Sequence, residues 1–554
     1  MKTFDAVIIG SGAGGGASAY ALTRQGYRVL VLEAGPVFHP EKDYQLATSR
    51  WQNSFPQKNG SHGKYTYVVK QPLSEKWSDI RSWNHISGRL NPGAERIAFA
   101  YHHVRGVGGS SLHFTGEMHR LHPQAMRMQT RFGVAADWPL TYQMLEPYYA
   151  QAEEIVGVAG PATDSRRPRS APYPYAAHPL GYATQLLQKG FNREGMQLQA
   201  NPLAVLPQPR AQRLNCNYCN GCLKGCPRKD KGSVDVTYLQ QAKDSGLCEV
   251  RADCVVTRII SDSRSGTVSG VEYISAGKKH TLKTPLLILA AGAIESPRLL
   301  LLSANAASPA GLCNESSQVG KNFMETLLWT SNALYPQPLG SHRGLPVDSI
   351  CWDFNAPDAI PGVIGGCRFS PSVAESDLLG PVNYATRVIK GWGRQHKQQM
   401  RQNFGRVLSL SGLCESLPHE KSFVALDTTQ KDQHGLPLAS IHSYVDEMAA
   451  QRIAFMAKKC RQILKSAGAS EIFEEFSSYD IFSSTHVFGT CRMGNDPKQS
   501  VVNADCRSHR WRNLYIVDAS VFPSSGGGES PGLTIQALAL RAMDKLMATG
   551  LKPA

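Results

Sequence analysis

Four cysteines stand within eleven residues, Cys216, Cys219, Cys222 and Cys226, followed by Pro227, in the spacing C-x2-C-x2-C-x3-C-P. Thiolates so spaced, with Gly221 and Gly225 turning the chain between them, can converge on one small volume and hold an iron–sulfur cluster. A four-thiolate zinc site and cysteines that serve packing without metal are two other readings of the run. Near the amino terminus an apolar β-type stretch, Phe4 to Ile9, meets Gly10, Gly12 and Gly15. A helix-like segment follows to about Gln25, and a second apolar run, Val29 to Leu32, ends in Glu33. This spacing predicts a βαβ unit for a dinucleotide. Gly10 allows the tight turn, Gly12 lets the backbone approach a pyrophosphate, and Gly15 brings helix and strand together. The helix N-terminus offers free N–H groups to the anion, and Glu33 is placed to accept from an adenosine ribose. Spacing does not decide between NAD and FAD.

Around these groups the chain must supply walls. A second glycine cluster runs from Arg105 to Gly116 and includes Gly108, Gly109, Ser110 and Ser111. Its small residues let backbone lie against a flat ring system, with serine hydroxyls to bond it. Residues 38–99 are polar, aromatic and poor in periodicity, which predicts a long excursion packed over the nucleotide domain. Residues 161–174, rich in Arg, Ser and Pro, read as a surface loop. Cys248 to Ile260 alternates as a strand, and Gly270 to Leu302 reads as strand, turn, strand and helix. Phe423 to Leu426 and Ile441 to Tyr444 alternate as strands, and Met448 to Lys465 carries the apolar stripe of a core helix.

The 554 residues exceed one ordinary core, so two connected domains are expected. A composition of 42% hydrophobic and 19% charged residues is that of a globular chain. Lys and Arg outnumber Asp and Glu by 59 to 44, a formal charge of +15, which suits a solvated basic surface, an anionic membrane face or an acidic partner. No helix-turn-helix, zinc-finger or aromatic-basic pattern supports nucleic acid. No apolar run reaches spanning length, since the stretch around Pro285 to Leu302 is broken by Gly292, Glu295, Pro297 and Arg298. Membrane attachment is therefore expected to be peripheral or through a partner. The first apolar run is already the first strand, which leaves no export signal of the usual kind.

Taken together, GSGAGGGASAYAL with LEAGP and the later GVGGSS resemble the glucose-methanol-choline family of flavin-dependent oxidoreductases. The resemblance extends through Asp137 to Val158, Leu286 to Leu302 and Ser484 to Leu546, and it is weak from about Ser316 to Gly405. It implies FAD rather than NAD, with the first motif on the ADP part and Gly108, Gly109 and Ser110 near the isoalloxazine. It further implies that Val255 or Val256 meets the adenine through backbone groups. Asp518 falls in the FAD-contacting strand. His113 resembles the position that carries covalently attached flavin in some relatives; a histidine hydrogen-bonded beside the ring is the other reading.

The resemblance places His486 over the flavin as the base. Imidazole titrates near neutrality and is chemically fit to take a hydroxyl proton as hydride leaves for flavin N5. Where the family has a second His or an Asn before the Pro of its last motif, this chain has Ser530 before Pro531, a shorter group able to reach substrate through water. The cysteine run resembles that of the family's sugar and sugar-acid dehydrogenases. There three cysteines spaced like Cys216, Cys222 and Cys226 hold a three-iron cluster; Cys219 is additional, so a 3Fe-4S or a 4Fe-4S form is implied. A long-chain alcohol oxidase branch has a similar strip without implying a cluster.

The expected fold is α/β, α+β overall: a Rossmann-type FAD-binding domain and a substrate domain on an antiparallel sheet. The FAD domain is expected over 1–37, 85–135, 228–310 and 480–554. The substrate domain is expected over 138–210 and 311–479, with 211–230 as a Cys-rich insertion. The expected activity is FAD-dependent oxidation of a C–OH group of a sugar, sugar acid or polyol, with electrons passing to a cytochrome- or quinone-type acceptor. Alternatives are an alcohol or sterol oxidase using dioxygen, and a flavin-bearing subunit with a structural role. The resemblance also implies a cytochrome c-type acceptor subunit and a small accessory subunit. The protein is then expected on the periplasmic face of the inner membrane through a signal-bearing partner, or in the cytoplasm.

Overall fold

The computed structural model describes residues 4–44, 64–163 and 166–548. Its first layer is a parallel five-stranded sheet in the order Cys248–Arg251, Val29–Leu32, Ala6–Ile9, Leu287–Leu289, Leu514–Ile516. The three central strands are buried throughout, as their unbroken Val, Leu and Ile runs require of a sheet covered on both faces. Each such side chain taken out of water contributes roughly 1.5–3 kcal/mol. The helix Ala13–Thr23 lies against this sheet and packs on Tyr238–Asp244 and Gly532–Ala548. It can sit this close because a Cβ on Gly15 would overlap the carbonyl of Gly10, and one on Gly14 the carbonyl of Val517.

The second layer is a six-stranded antiparallel sheet in the order Cys367–Pro371, Val407–Cys414, Leu327–Leu334, Glu471–Ser477, Trp83–Asn84, Gly88–Arg89. The helix Glu447–Ala467 backs it. This helix starts where the Asp446 carboxylate accepts from the Ala449 N–H at 2.7 Å and stops at Gly468, whose φ of 94° is left-handed. The two layers, one Rossmann-like and parallel, one antiparallel, are the mixed α/β class expected.

Three segments depart from the sequence reading. Cys248 to Ile260 is two strands, because Asp253 at φ 51° turns the chain out of the parallel sheet into the hairpin that begins at Cys254. The helix Tyr142–Val156, expected with the substrate part, buries Leu145, Tyr149 and Val156 in the core of the first layer, against Gly532–Ala548. The excursion after Phe38 reaches the second layer: Tyr65–Val68 pairs with Pro437–His442, and Trp83–Asn84 and Gly88–Arg89 extend the six-stranded sheet. Residues 45–63 of that excursion, like 164 and 165 of the expected surface loop, lie outside the described residues. Among the described residues no helix is long and apolar enough to cross a membrane.

Candidate active site

A single cavity of about 1110 Å³ runs between the two layers. The amino-terminal turn Gly10–Gly14 and Glu33 line it, as do Gly109, Ser110 and His113, Val255 and Val256, Asp518, His486 and Ser530. The expected site residues, drawn from the first and last parts of the chain, therefore face one volume. Two of them stand behind the wall: Gly15 in the helix interface described above, and Gly108, whose φ of 112° turns the second cluster.

The nucleotide end is built around Ser11. Its N–H and hydroxyl both donate to Glu33 Oε2, at 2.9 and 2.6 Å, while Gly35 N–H donates to Glu33 Oε1 at 3.0 Å. Gly108 N–H donates to the Ser11 hydroxyl at 3.0 Å, so one serine ties both glycine clusters to the acid. Burial pushes the Glu33 carboxyl up, and these bonds offset it only in part. The helix Ala13–Thr23 opens onto the cavity without a side-chain cap and without an acid in its first turn, leaving its N–H groups for an anion. Asp518 accepts from Gly292 N–H at 2.9 Å, Ser296 hydroxyl at 2.6 Å and Ser520 N–H at 2.9 Å, and so holds the start of the helix Gly292–Leu302. An uncapped helix, an acid beside it and a cavity larger than a small substrate needs fit a dinucleotide such as FAD.

The other end is a network about Glu117. Arg368 Nη2 donates to Glu117 Oε2 at 2.8 Å, Ser530 Oγ donates to the same oxygen at 2.8 Å, and Asn201 donates to Oε1 at 3.0 Å. Burial alone would raise this carboxyl; Arg368, with Ser530 and Asn201, holds it below the usual carboxylate range. His119 Nδ1 accepts from Ser530 N–H at 3.0 Å, so its proton is on Nε2, which faces Asn201 Oδ1 at 2.9 Å. Burial lowers its pKa to about 3, and it stays neutral. Ser530 has thus spent its proton on Glu117 and offers lone pairs, not a donor, to anything in the cavity.

His486 lines the cavity with neither ring nitrogen hydrogen-bonded to any described residue. Burial brings its pKa down to about 4, Glu117 raising it and Arg368 lowering it further, so the imidazole is unprotonated near pH 7 and has a lone pair free to accept a proton. The antiparallel sheet completes the chamber with alternate residues, Leu328 and Thr330 from one strand, Ser411 and Leu413 from its neighbour, which is the two-residue period of one sheet face.

The cysteine strip reaches this wall without entering it. Leu223 and Lys224 line the cavity, and Lys231 Nζ donates to the carbonyls of Cys222, Leu112 and Phe114 at 2.7, 2.9 and 3.1 Å, clamping the strip to the segment that carries His113. Cys216 and Cys222 are buried, Cys226 is half-buried and Cys219 exposed. Tyr218 and Asn220, both at positive φ, turn the chain on either side of Cys219. Burial pushes the Cys216 thiol up to about 12 and that of Cys226 to about 11. Among the described residues no three His, Cys, Asp or Glu side chains are grouped to hold a metal ion. The thiol donor set suits iron, but this arrangement does not bring it to a ligand geometry.

Residues 96–327 and 418–539 match family models described as GMC oxidoreductase, and residues 8–38 match one described as NAD(P)-binding Rossmann-like domain. The chain is 27% identical to the fructose dehydrogenase large subunit of Gluconobacter japonicus, over 98% of this chain and 97% of that one. It is 28% identical to 2-methyl-1,2-propanediol dehydrogenase of Mycolicibacterium austroafricanum, over 98% and 94%. The solved structure of pyridoxine 4-oxidase from Mesorbium loti shares the fold, with a TM-score of 0.64 at 16% identity and 99% coverage of both chains.

Proposed function

Because the chain belongs to the GMC oxidoreductase family, flavoprotein enzymes acting on CH–OH donors, we propose that it oxidises a C–OH group of a sugar or polyol to a carbonyl and passes the electrons to a cytochrome- or quinone-type acceptor. One observation carries the reading: the amino-terminal glycine turn and His486 line the same cavity. FAD, when bound, supplies the hydride acceptor. The uncapped first turn of Ala13–Thr23 holds its pyrophosphate and Glu33 its ribose. His486, neutral at pH 7 and without a competing hydrogen bond, takes the substrate hydroxyl proton. Ser530, its own proton committed to Glu117, offers lone pairs to which a second, neighbouring hydroxyl of a polyol donates. The hydroxyls of Thr330 and Ser411 on the facing sheet bond each other at 2.6 Å, which leaves one proton and the remaining lone pairs of the pair to meet a polyhydroxylated substrate.

Relatives named as dehydrogenases, among them those for fructose and 2-methyl-1,2-propanediol, support a dehydrogenase, and the one named as a large subunit supports a partner subunit here; other relatives are named as oxidases, so the fate of the reduced flavin is the deciding observation. The test is anaerobic flavin reduction by a panel of sugars and polyols, followed by reoxidation with cytochrome c, a quinone or dioxygen. Fast reoxidation by cytochrome or quinone without peroxide supports the reading. Stoichiometric peroxide makes it an oxidase, and no flavin reduction by any alcohol overturns it.

A further inference from the structure

The strand Cys367–Pro371 delivers Arg368 to the Glu117 network, and the turn after it carries Glu375 onto the same cavity. The Glu375 carboxyl makes no hydrogen bond or ion pair with any described residue. Its charged neighbours on this part of the lining are already matched: Arg368 with Glu117 at 2.8 Å, Arg387 with Glu474, and Lys224 with Asp377 at 3.7 Å. Glu375 is therefore the carboxyl left over. The surrounding cavity walls, and then the charge of Glu117, push its proton affinity above the usual carboxylate range, Arg368 offsets part of this, and the side chain itself is exposed to the cavity.

The Glu375 carboxyl is open to the water of the cavity, and a ligand that displaces this water leaves it without a donor unless the ligand supplies one. A neutral hydroxyl supplies a hydrogen bond alone; an ammonium supplies the bond and the missing charge. A carboxylate ligand meets repulsion from both Glu375 and Glu117. We propose that Glu375 is the specificity-determining residue of this cavity and receives the primary ammonium of an amino sugar or amino alcohol whose carbinol is presented to His486. The proposal rests on the function given above and narrows it: the preferred donor carries both a hydroxyl and an amine, and sugar acids are disfavoured.

The FAD-loaded protein is assayed on matched pairs, D-glucosamine with D-glucose and 1-amino-2-propanol with 1,2-propanediol, using a dye acceptor. Binding of butylamine, which has no carbinol, is followed by the change in flavin absorbance. The amine-bearing members are expected to have kcat/KM about ten- to hundredfold higher. Glu375→Gln brings that ratio close to one and abolishes the butylamine response, whereas Glu375→Asp, which keeps the charge, retains a preference for the amine. FAD content at the wild-type level reports that each variant has folded. Equal kcat/KM within pairs, or a preference that survives Glu375→Gln, overturns the assignment and leaves the alcohol-oxidising function standing. If no alcohol is oxidised that function falls, and butylamine still decides Glu375: the same response in wild type and Glu375→Gln overturns it.

Discussion

Replacing Arg368 with Met tests the network that sets the electrostatics of the site. In the wild type the guanidinium bonds Glu117, the Gly528 carbonyl at 2.6 Å and Ser370 Oγ at 3.1 Å, with its side chain 1% exposed. Methionine fills similar volume but leaves Glu117 as a buried carboxylate supported by Ser530 and Asn201 alone, a loss of about 3–5 kcal/mol. The orphaned Gly528 carbonyl adds about 1 kcal/mol. The pH dependence gives the sign. Wild-type Glu117 is held below its unfolded pKa, so its stabilisation is complete above the usual carboxylate range and is lost as pH falls through the folded value. Without Arg368, burial dominates and the folded pKa rises, so the variant gains stability relative to wild type as the pH falls towards 5. Urea unfolding of the FAD-loaded protein, read by release of the flavin, measures both effects. The expected deficit is several kcal/mol at pH 8 and smaller at pH 5, and Glu117→Gln in the Arg368→Met background recovers part of it. A deficit below about 1 kcal/mol at pH 8, or a double variant less stable than Arg368→Met, would refute the reasoning.

Gly15→Ala forces a methyl into the Gly10 carbonyl and displaces the first turn from the nucleotide. It should cost about 1–3 kcal/mol and lower FAD retention on gel filtration. Glu415 is fully buried, and burial raises its carboxyl to about 7. Its folded pKa exceeds the unfolded value of about 4.5, so its contribution is favourable below pH 4.5 and is lost as pH rises through 7. Glu415→Gln should therefore stabilise by up to about 3 kcal/mol at pH 8 and by little at pH 4, measured by urea unfolding. Lys231→Met removes the donor shared by the Cys222, Leu112 and Phe114 carbonyls, and amide exchange across residues 216–226 should accelerate while exchange in Ala6–Ile9 is unchanged.

The parallel layer was legible because its physics is local. Apolar runs, glycines at a turn and an acid at the next strand's end specify the βαβ unit within thirty-three residues, and the helix ending at Gly468 announces itself by its stripe. The site itself was half legible. His486 and Ser530 stand in motifs, whereas Arg368 and Glu375 come from the stretch where the family resemblance is weak, and neither carries a periodic or spacing signal. Glu117 follows the second glycine cluster closely, but nothing in its neighbours says that it will be met by an arginine 251 positions away. Ser530 is expected from the sequence as a shorter group reaching substrate through water; that its proton goes to Glu117 is a fact of three-dimensional pairing that spacing does not encode. The cysteine run shows the converse: spacing for convergence is clear in the sequence, while burial and the turns at Tyr218 and Asn220 set where each thiol lies.

The central claim is that His486 is the base acting on a hydroxyl in the cavity that the glycine turn shares. The direct measurement is the anaerobic rate of flavin bleaching by a competent alcohol in wild type and His486→Asn, across pH, with FAD content determined for both. The account predicts equal FAD content, a rate about 10²- to 10⁴-fold lower in the variant, and a wild-type acid limb near pH 4. A variant that retains its FAD and bleaches at the wild-type rate would contradict it.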